Sequence, residues 1–243
     1  MKYWAHRGCS QRYPENTQTA FEHAMALKEL TGIETDIQLT RDGELVIIHD
    51  ERVDRTTDGT GWVKDFSLAE LKKLRIDAGD GRTETILTAA ELLDLLQSRL
   101  QAGNLLLNIE LKNSNVPYPG IEEKILDLVA RKGVASAVVY STFYPRSLMR
   151  LRKLQPEANI AVLAQHASDC ELLAKGIGGA NAIHPFWRCI DMTPEELAGR
   201  TVRAWMSGHL YPEKPTGTKL DVAPLERQGI TDIMMNEPEM YIY

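Results

Sequence analysis

Glu34 and Asp36 stand two residues apart in Gly32-Ile-Glu-Thr-Asp-Ile-Gln38, as do Glu110 and Lys112 in Leu107-Asn-Ile-Glu-Leu-Lys112. On a β-strand such pairs share a face, and both lie at the C-terminal ends of apolar segments. Three carboxylates converging on one point repel one another unless a cation sits among them. All-oxygen ligation favours a hard ion, Mg²⁺ or Ca²⁺, over a structural zinc. Three protein ligands would leave positions for water and substrate oxygens. His6 and His49 end two further apolar segments, and imidazoles, which titrate near neutrality, suit general acid and base work. Arg7 offers a planar fork for phosphate oxygens and Lys112 a second positive charge. Taken singly, each residue is more often a solvated strand end or a structural or surface histidine than a catalytic group. Their shared placement at the same ends of one repeating pattern is what the bland reading leaves unexplained.

The pattern that must position them is an alternation of short apolar segments with amphipathic ones. Strands are expected at residues 3–7, 32–37, 44–49, 104–112, 137–141, 160–163, 182–184, 201–206 and 230–235. Ser67-x-x-Glu70, Thr88-x-x-Glu91, Ser168-x-x-Glu171 and Thr193-x-x-Glu196 have the spacing of helix capping boxes. Strands alternating with helices imply a parallel sheet with crossovers. Nine strands are one too many for a (β/α)8 barrel, and the gap before residue 44 resolves the excess. It is too short for a parallel crossover, and Asp42-Gly43 is a hairpin signal. Residues 44–49 therefore fold back as an antiparallel arm after the second strand, with His49 roughly opposite Asp36. The expected fold is an α/β (β/α)8 TIM barrel with that arm and a helical insertion, two helices long, before the third barrel strand. Such barrels keep their active sites at the C-terminal ends of the strands. Adjacent residues of a regular strand face opposite ways, so one of His6 and Arg7 must lie past the strand end. Gly8 lets the chain turn there.

The chain has 243 residues, with 28 Lys+Arg against 34 Asp+Glu and a net charge of −6. That balance gives no global attraction to nucleic acid or anionic membrane, so a bound phosphate must be held by local cations. A hydrophobic fraction of 43% and a charged fraction of 26% suit a globular protein with a proper core. No apolar run has the length of a membrane span, and the N-terminal residues leave no room for a signal segment. Three scattered cysteines suit neither a disulfide framework nor a zinc site. With no linker or low-complexity tract, residues 1–243 are expected to form one domain, in the cytoplasm.

Several short motifs then occur in order: Ala5-His-Arg-Gly8, Pro14-Glu-Asn-Thr17, Glu34-x-Asp36, Thr40-Arg-Asp-Gly43, His49-Asp50, Arg55-Thr-Thr-Asp-Gly-Thr-Gly61 and Ile109-Glu-Leu-Lys112. Together they resemble the glycerophosphodiester phosphodiesterase family, densely over residues 3–112 and more thinly beyond. The resemblance implies a TIM barrel that uses one divalent cation to cleave small glycerophosphodiesters to glycerol 3-phosphate and an alcohol. By position it implies Glu34, Asp36 and Glu110 as metal ligands and His6 and His49 as the acid–base pair. Arg7 and Lys112 would bind the phosphate. Pro14-Glu-Asn-Thr17 would open the first helix, with Glu15 and Asn16 bracing the rim or serving as a plain helix cap. The C-terminal third departs from the family. Trp205-Met-Ser-Gly208 replaces the usual Trp-Thr-Val-Asn, and Met234-Met-Asn-Glu-Pro238 replaces an ending with Thr-Asp-x-Pro. Trp205 is expected either to wall the glycerol pocket or to serve as a core tryptophan, and the 209–218 loop to shape the pocket mouth.

In the expected reaction His6 acts as base and His49 as acid, with water or the glycerol 2-hydroxyl as nucleophile. The alternatives are a related lysophospholipid or sphingolipid phosphodiesterase, and a barrel that binds phosphodiesters without turnover. The partners expected are small molecules, with no nucleic acid, no transmembrane segment and an open oligomeric state. Cys9 reads as a small filler beside the site and His184 as a further rim residue within reach of substrate. His23 and His166 show no partner in the sequence.

Overall fold

The computed structural model describes residues 1–206 and 219–242. Its first strand, β1 (Lys2–His6), pairs in parallel with β2 (Gly32–Leu39), and β2 pairs in parallel with β6 (Leu106–Leu111). The sheet continues through β7 (Val138–Thr142), β8 (Asn159–Leu163) and β9 (Ala182–His184). From the other side of β1 it runs through β11 (Asp232–Met235) to β10 (Arg203–Trp205). Parallel bridges at Ile183–Val202 and Phe186–Trp205 join β9 to β10. Eight parallel strands thus form a nearly closed (β/α)8 barrel, as the alternation predicts.

The register decides what meets inside. Paired residues of neighbouring strands share a face, and Trp4 lies beside Gly32, His6 beside Glu34, Glu34 beside Asn108, and Asp36 beside Glu110. The other face of β2 and β6 carries Ile33, Ile37, Leu107 and Ile109, which join the large core beneath the helices. β2 is therefore buried along its whole length, with acids on one face and aliphatics on the other. Inside the barrel Trp4, Val139, Ala161, Ala182 and Met234 form a separate apolar plug. A Cβ on Gly32 would run into the Trp4 ring, so the indole occupies the space that any other residue at position 32 would need.

The arm forms, with a corrected register. β3 (Leu45–Ile47) pairs antiparallel with β2 through Ile37–Ile47 and Leu39–Leu45. The Ile48 amide donates to the Asp36 carbonyl at 3.2 Å, so Ile48, not His49, stands opposite Asp36. A regular strand would then turn His49 away from the acids. The chain instead leaves the sheet after Ile47, and the Gln38 side-chain amide donates to the carbonyls of Ile48, His49 and Asp50 at 3.0, 3.1 and 2.7 Å.

The insertion holds the two expected helices and more besides. It holds a 3₁₀ turn (Val63–Asp65), a single helical turn α2 (Leu68–Leu71), and a hairpin of β4 (Ile76–Asp77) and β5 (Thr83–Glu84). The long helix α3 (Ala89–Gln101) follows. Val46, Ile48, Val53, Val63, Leu71, Ile76 and Ile86 give this unit a small core of its own. Three of the four capping boxes form, at Ser67, Thr88 and Thr193. The fourth does not, because the helix Ala167–Gly176 begins one residue ahead of Ser168. The Ser168 amide and hydroxyl donate instead to Asp191, at 3.0 and 2.6 Å.

Candidate active site

β1 ends at His6, and Arg7 takes φ +57°, in the left-handed region that side chains seldom adopt. That turn answers the adjacency problem, since leaving the strand there lets His6 and Arg7 face the same cavity. The Arg7 amide donates to the Glu34 carbonyl at 3.0 Å, and the Asn16 amide donates to the Arg7 carbonyl at 3.0 Å. Gly8 follows at φ +81°, where a Cβ would strike the Ala20 backbone. Asn16, also left-handed at φ +58°, donates from its amide to Asp36 Oδ2 at 2.9 Å and accepts from Thr35 Oγ1 at 3.0 Å. Thr17 caps α1 (Gln18–Ala26) by accepting from the Ala20 amide. Pro14-Glu-Asn-Thr17 is thus both a helix cap and a brace of the rim. Two strained non-glycine residues beside buried acids are a usual mark of a functional site.

Glu34, Asp36 and Glu110 are buried, and each offers an oxygen within 4.8 Å of the others. Lys112 Nζ lies 2.9 Å from Glu110 Oε1 and 3.8 Å from Asp36 Oδ1. Arg7 Nε lies 3.5 Å from Asp36 Oδ2. Burial and the neighbouring charges of Asp36 and Glu110 raise the Glu34 carboxyl well above the usual range. Burial also opposes ionisation of Asp36, but His49, Arg7, Lys112 and the Asn16 amide outweigh it and hold Asp36 low. Asp36 Oδ1 is buried with no hydrogen-bond partner. An orphaned carboxylate oxygen within an all-oxygen cluster fits a hard divalent cation.

His6 Nδ1 meets Asn236 Oδ1 at 2.7 Å, and its Nε2 lies 3.8 Å from Glu34 Oε2. The amide oxygen can only accept, so Nδ1 carries the proton and Nε2 is bare toward the acids. Burial first and Arg7 second push the imidazole down to about 3, so it is neutral at neutral pH. His49 Nδ1 donates to Asp50 Oδ1 at 2.7 Å, which fixes its tautomer in the same way. Arg7 Nη1 donates to Glu15 Oε1 at 2.9 Å.

These groups open onto a cavity of 210 Å³ lined by His6, Arg7, Glu34, His49, Glu110 and Lys112 on one side. Phe143, Leu163, Trp205 and Met234 form the other wall. Seven of the eight residues expected at the site line this cavity, and Asp36 lies buried behind Arg7 and Lys112. The Trp205 indole donates to the His184 carbonyl at 3.2 Å and meets Phe143 edge-on. His184 itself is not on the rim. It is wholly buried, with Nε2 2.7 Å from Arg203 Nη1. Cys9 is buried, as a filler would be. His23 and His166 do have partners: His23 stacks on Tyr13 and His166 lies 3.3 Å from Asp191. The 209–218 loop lies outside the described residues. Asn236 and Phe143 were missed, although each directly follows the last residue of a barrel strand, the signal that found the others.

Comparison with known proteins agrees with this geometry. The pattern of the family described as "Glycerophosphoryl diester phosphodiesterase family" matches residues 6–183. A glycerophosphodiester phosphodiesterase of Caldanaerobacter subterraneus subsp. tengcongensis is 38% identical, over 98% of this chain and 95% of that protein. Another from Bacillus subtilis is 36% identical, over 98% of this chain and 84% of the relative. Among solved structures, a phosphodiesterase of Oleispira antarctica in complex with the product sn-glycerol-3-phosphate superposes with a TM-score of 0.78. It is 26% identical, over 98% of this chain and 94% of that one. By its barrel, its rim of acids and imidazoles and these relatives, the chain belongs to the glycerophosphoryl diester phosphodiesterase family of enzymes.

Proposed function

We propose that the enzyme cleaves glycerophosphodiesters to glycerol 3-phosphate and an alcohol by two-histidine acid–base catalysis with one divalent cation. The observation that carries this is the convergence of three carboxylates, two imidazoles of set tautomer, an arginine and a lysine on one small cavity. Glu34, Asp36 and Glu110 would hold the cation, Mg²⁺ or Ca²⁺, which supplies Lewis-acid charge to the phosphate oxygens. Arg7 and Lys112 bind the non-bridging oxygens and offset charge as it builds in the transition state. His6, neutral with Nε2 bare, takes the proton of the nucleophile, water or the glycerol 2-hydroxyl. His49, held through Nδ1 by Asp50, protonates the departing alkoxide from Nε2.

Trp205, Phe143, Leu163 and Met234 present an apolar wall to one arm of the substrate. That wall, with Phe143 and Tyr144 both exposed beside it, supports a second reading in which a lysophospholipid is taken as well. Among the described residues no helix is long and apolar enough to cross a membrane. The three free cysteines suit the reducing cytoplasm in which we place the enzyme.

Phosphorus NMR of the protein with a panel of glycerophosphodiesters and a lysophospholipid, with each ion and with chelator, tests the proposal. Metal-dependent appearance of glycerol 3-phosphate is expected, and a transient cyclic phosphate would identify the glycerol hydroxyl as nucleophile. Spectra unchanged across the panel with either ion would overturn it. Turnover of the lysolipid beside the diesters would establish the second reading, and turnover of the lysolipid alone would overturn the first.

A further inference from the structure

Arg55, on the insertion that follows β3, lines a second cavity together with His6, Arg7, Glu15 and Asn236, and its guanidinium is committed to two carboxylates. Nε donates to Asp50 Oδ2 at 2.6 Å and Nη2 to Asp50 Oδ1 at 3.0 Å. Nη1 and Nη2 donate to Glu15 Oε2 and Oε1, each at 2.7 Å. Each of those carboxylates holds one side chain of the site. Asp50 Oδ1 accepts from His49 Nδ1 at 2.7 Å, and Glu15 Oε1 accepts from Arg7 Nη1 at 2.9 Å. An unbroken series of charge-assisted hydrogen bonds therefore runs from His49 through Asp50, Arg55 and Glu15 to Arg7. Four bonds from one rigid planar group fix the two carboxylates relative to each other, which a flexible ammonium could not do. Arg55 is half exposed, and ion pairs at such a position contribute little to stability. Its consequence is geometric. The two ends of the series come from different parts of the fold, one from the turn after β1 and the other from the end of the arm.

We propose that Arg55 is a positioning residue that holds His49 and Arg7 in one mutual orientation across the site. The inference rests on the reading above, in which His49 protonates the leaving alkoxide and Arg7 grips the phosphate. The two ends then carry different signatures. Protonation is needed when an alkyl alcohol leaves and is nearly dispensable when a p-nitrophenolate leaves, because the phenolate is a stable anion. The phosphate grip is needed for both.

The experiment measures kcat and KM on glycerophosphocholine and on glycerol 3-phosphate p-nitrophenyl ester, with melting temperatures alongside. Asp50→Asn is expected to follow His49→Ala, losing turnover on the choline ester and sparing the nitrophenyl ester. Glu15→Gln is expected to lose activity on both alike, with KM raised. Arg55→Met should combine the two patterns, with a loss of about 10²-fold in kcat on the choline ester, the scale of a misplacement of about 1 Å. The double variant Asp50→Asn/Arg55→Met should shift the ratio between substrates no further than Arg55→Met alone. Arg55→Met and Arg55→Lys should both melt close to the wild type, and Arg55→Lys should not restore turnover. Wild-type kcat in Arg55→Met on both esters would overturn the proposal, as would a loss that Arg55→Lys repairs in step with stability. If His49→Ala treats both esters alike, the acid assignment of His49 falls. The role of Arg55 is then upheld by a large kcat loss in folded Arg55→Met and overturned by its absence.

Discussion

At the scale of single residues, the site depends on hydrogen bonds that settle which atom of each group is free. His6 and His49 each donate from Nδ1, to Asn236 and Asp50 respectively, which leaves Nε2 without that bond and open to the proposed proton transfer. His6→Ala and His49→Ala should each lower kcat on a natural diester by about 10²- to 10⁴-fold, read in a steady-state assay at saturating metal. A near-normal rate in either would remove that histidine from the chemistry. Glu15 makes a prediction about pH. Burial disfavours its charge, but Arg55 and Arg7 outweigh burial and push it down to about 2 from an ordinary 4.5. The unfolded chain therefore binds this proton first as pH falls. The stabilisation is complete above about pH 4.5 and is lost progressively toward pH 2. Glu15→Gln should flatten that limb of an unfolding-free-energy profile by about 1 kcal/mol, the shift being screened at half-exposed Arg55. Parallel limbs in the two proteins would refute the assignment.

At the scale of elements, β2 carries the most information. Its face toward the helices is aliphatic apart from Thr35, and its inner face holds Gly32, Glu34, Asp36 and Gln38, each with one task. Gly32 makes room for the Trp4 indole, whose Nε1 donates to Asp232 at 2.9 Å. Gly32→Ala should destabilise by about 1–3 kcal/mol, as overpacking of a dense core does, measured as a lower denaturant midpoint at unchanged slope. An unaltered midpoint would show that Trp4 can move aside at no cost. The arm shows where local pattern stops. Asp42-Gly43 is a hairpin signal legible in the sequence, and Gly43 does take φ +80°. A one-residue shift of register, however, reverses every face of a strand. Only Gln38, by bonding the carbonyls of residues 48–50, shows how His49 turns into the cavity.

At the scale of the whole molecule, the three acids come from two strands separated by the entire insertion, so a cation bridging them would bind the folded chain alone. Mg²⁺ or Ca²⁺ at a hundredfold excess over its Kd should therefore raise stability by about 2.7 kcal/mol, seen as a chelator-reversible rise in Tm. Asp36→Asn should abolish the increment, whereas an equal rise in that variant would place the ion elsewhere. The barrel and most of its rim were legible in the sequence, because alternation along a strand and parallel crossovers are local consequences of residue type. The strand ends carrying His6, Glu34, Asp36, Glu110 and Lys112 followed directly, and so did the arm. Tertiary structure alone decided the left-handed turn at Arg7, the partnership of His6 with Asn236, and the burial of His184 against Arg203. It also decided the link through Arg55 between Asp50 and Glu15. The reason is distance along the chain: His6 and Asn236 are 230 residues apart, and no local period encodes which rim residues a closing barrel brings within a hydrogen bond.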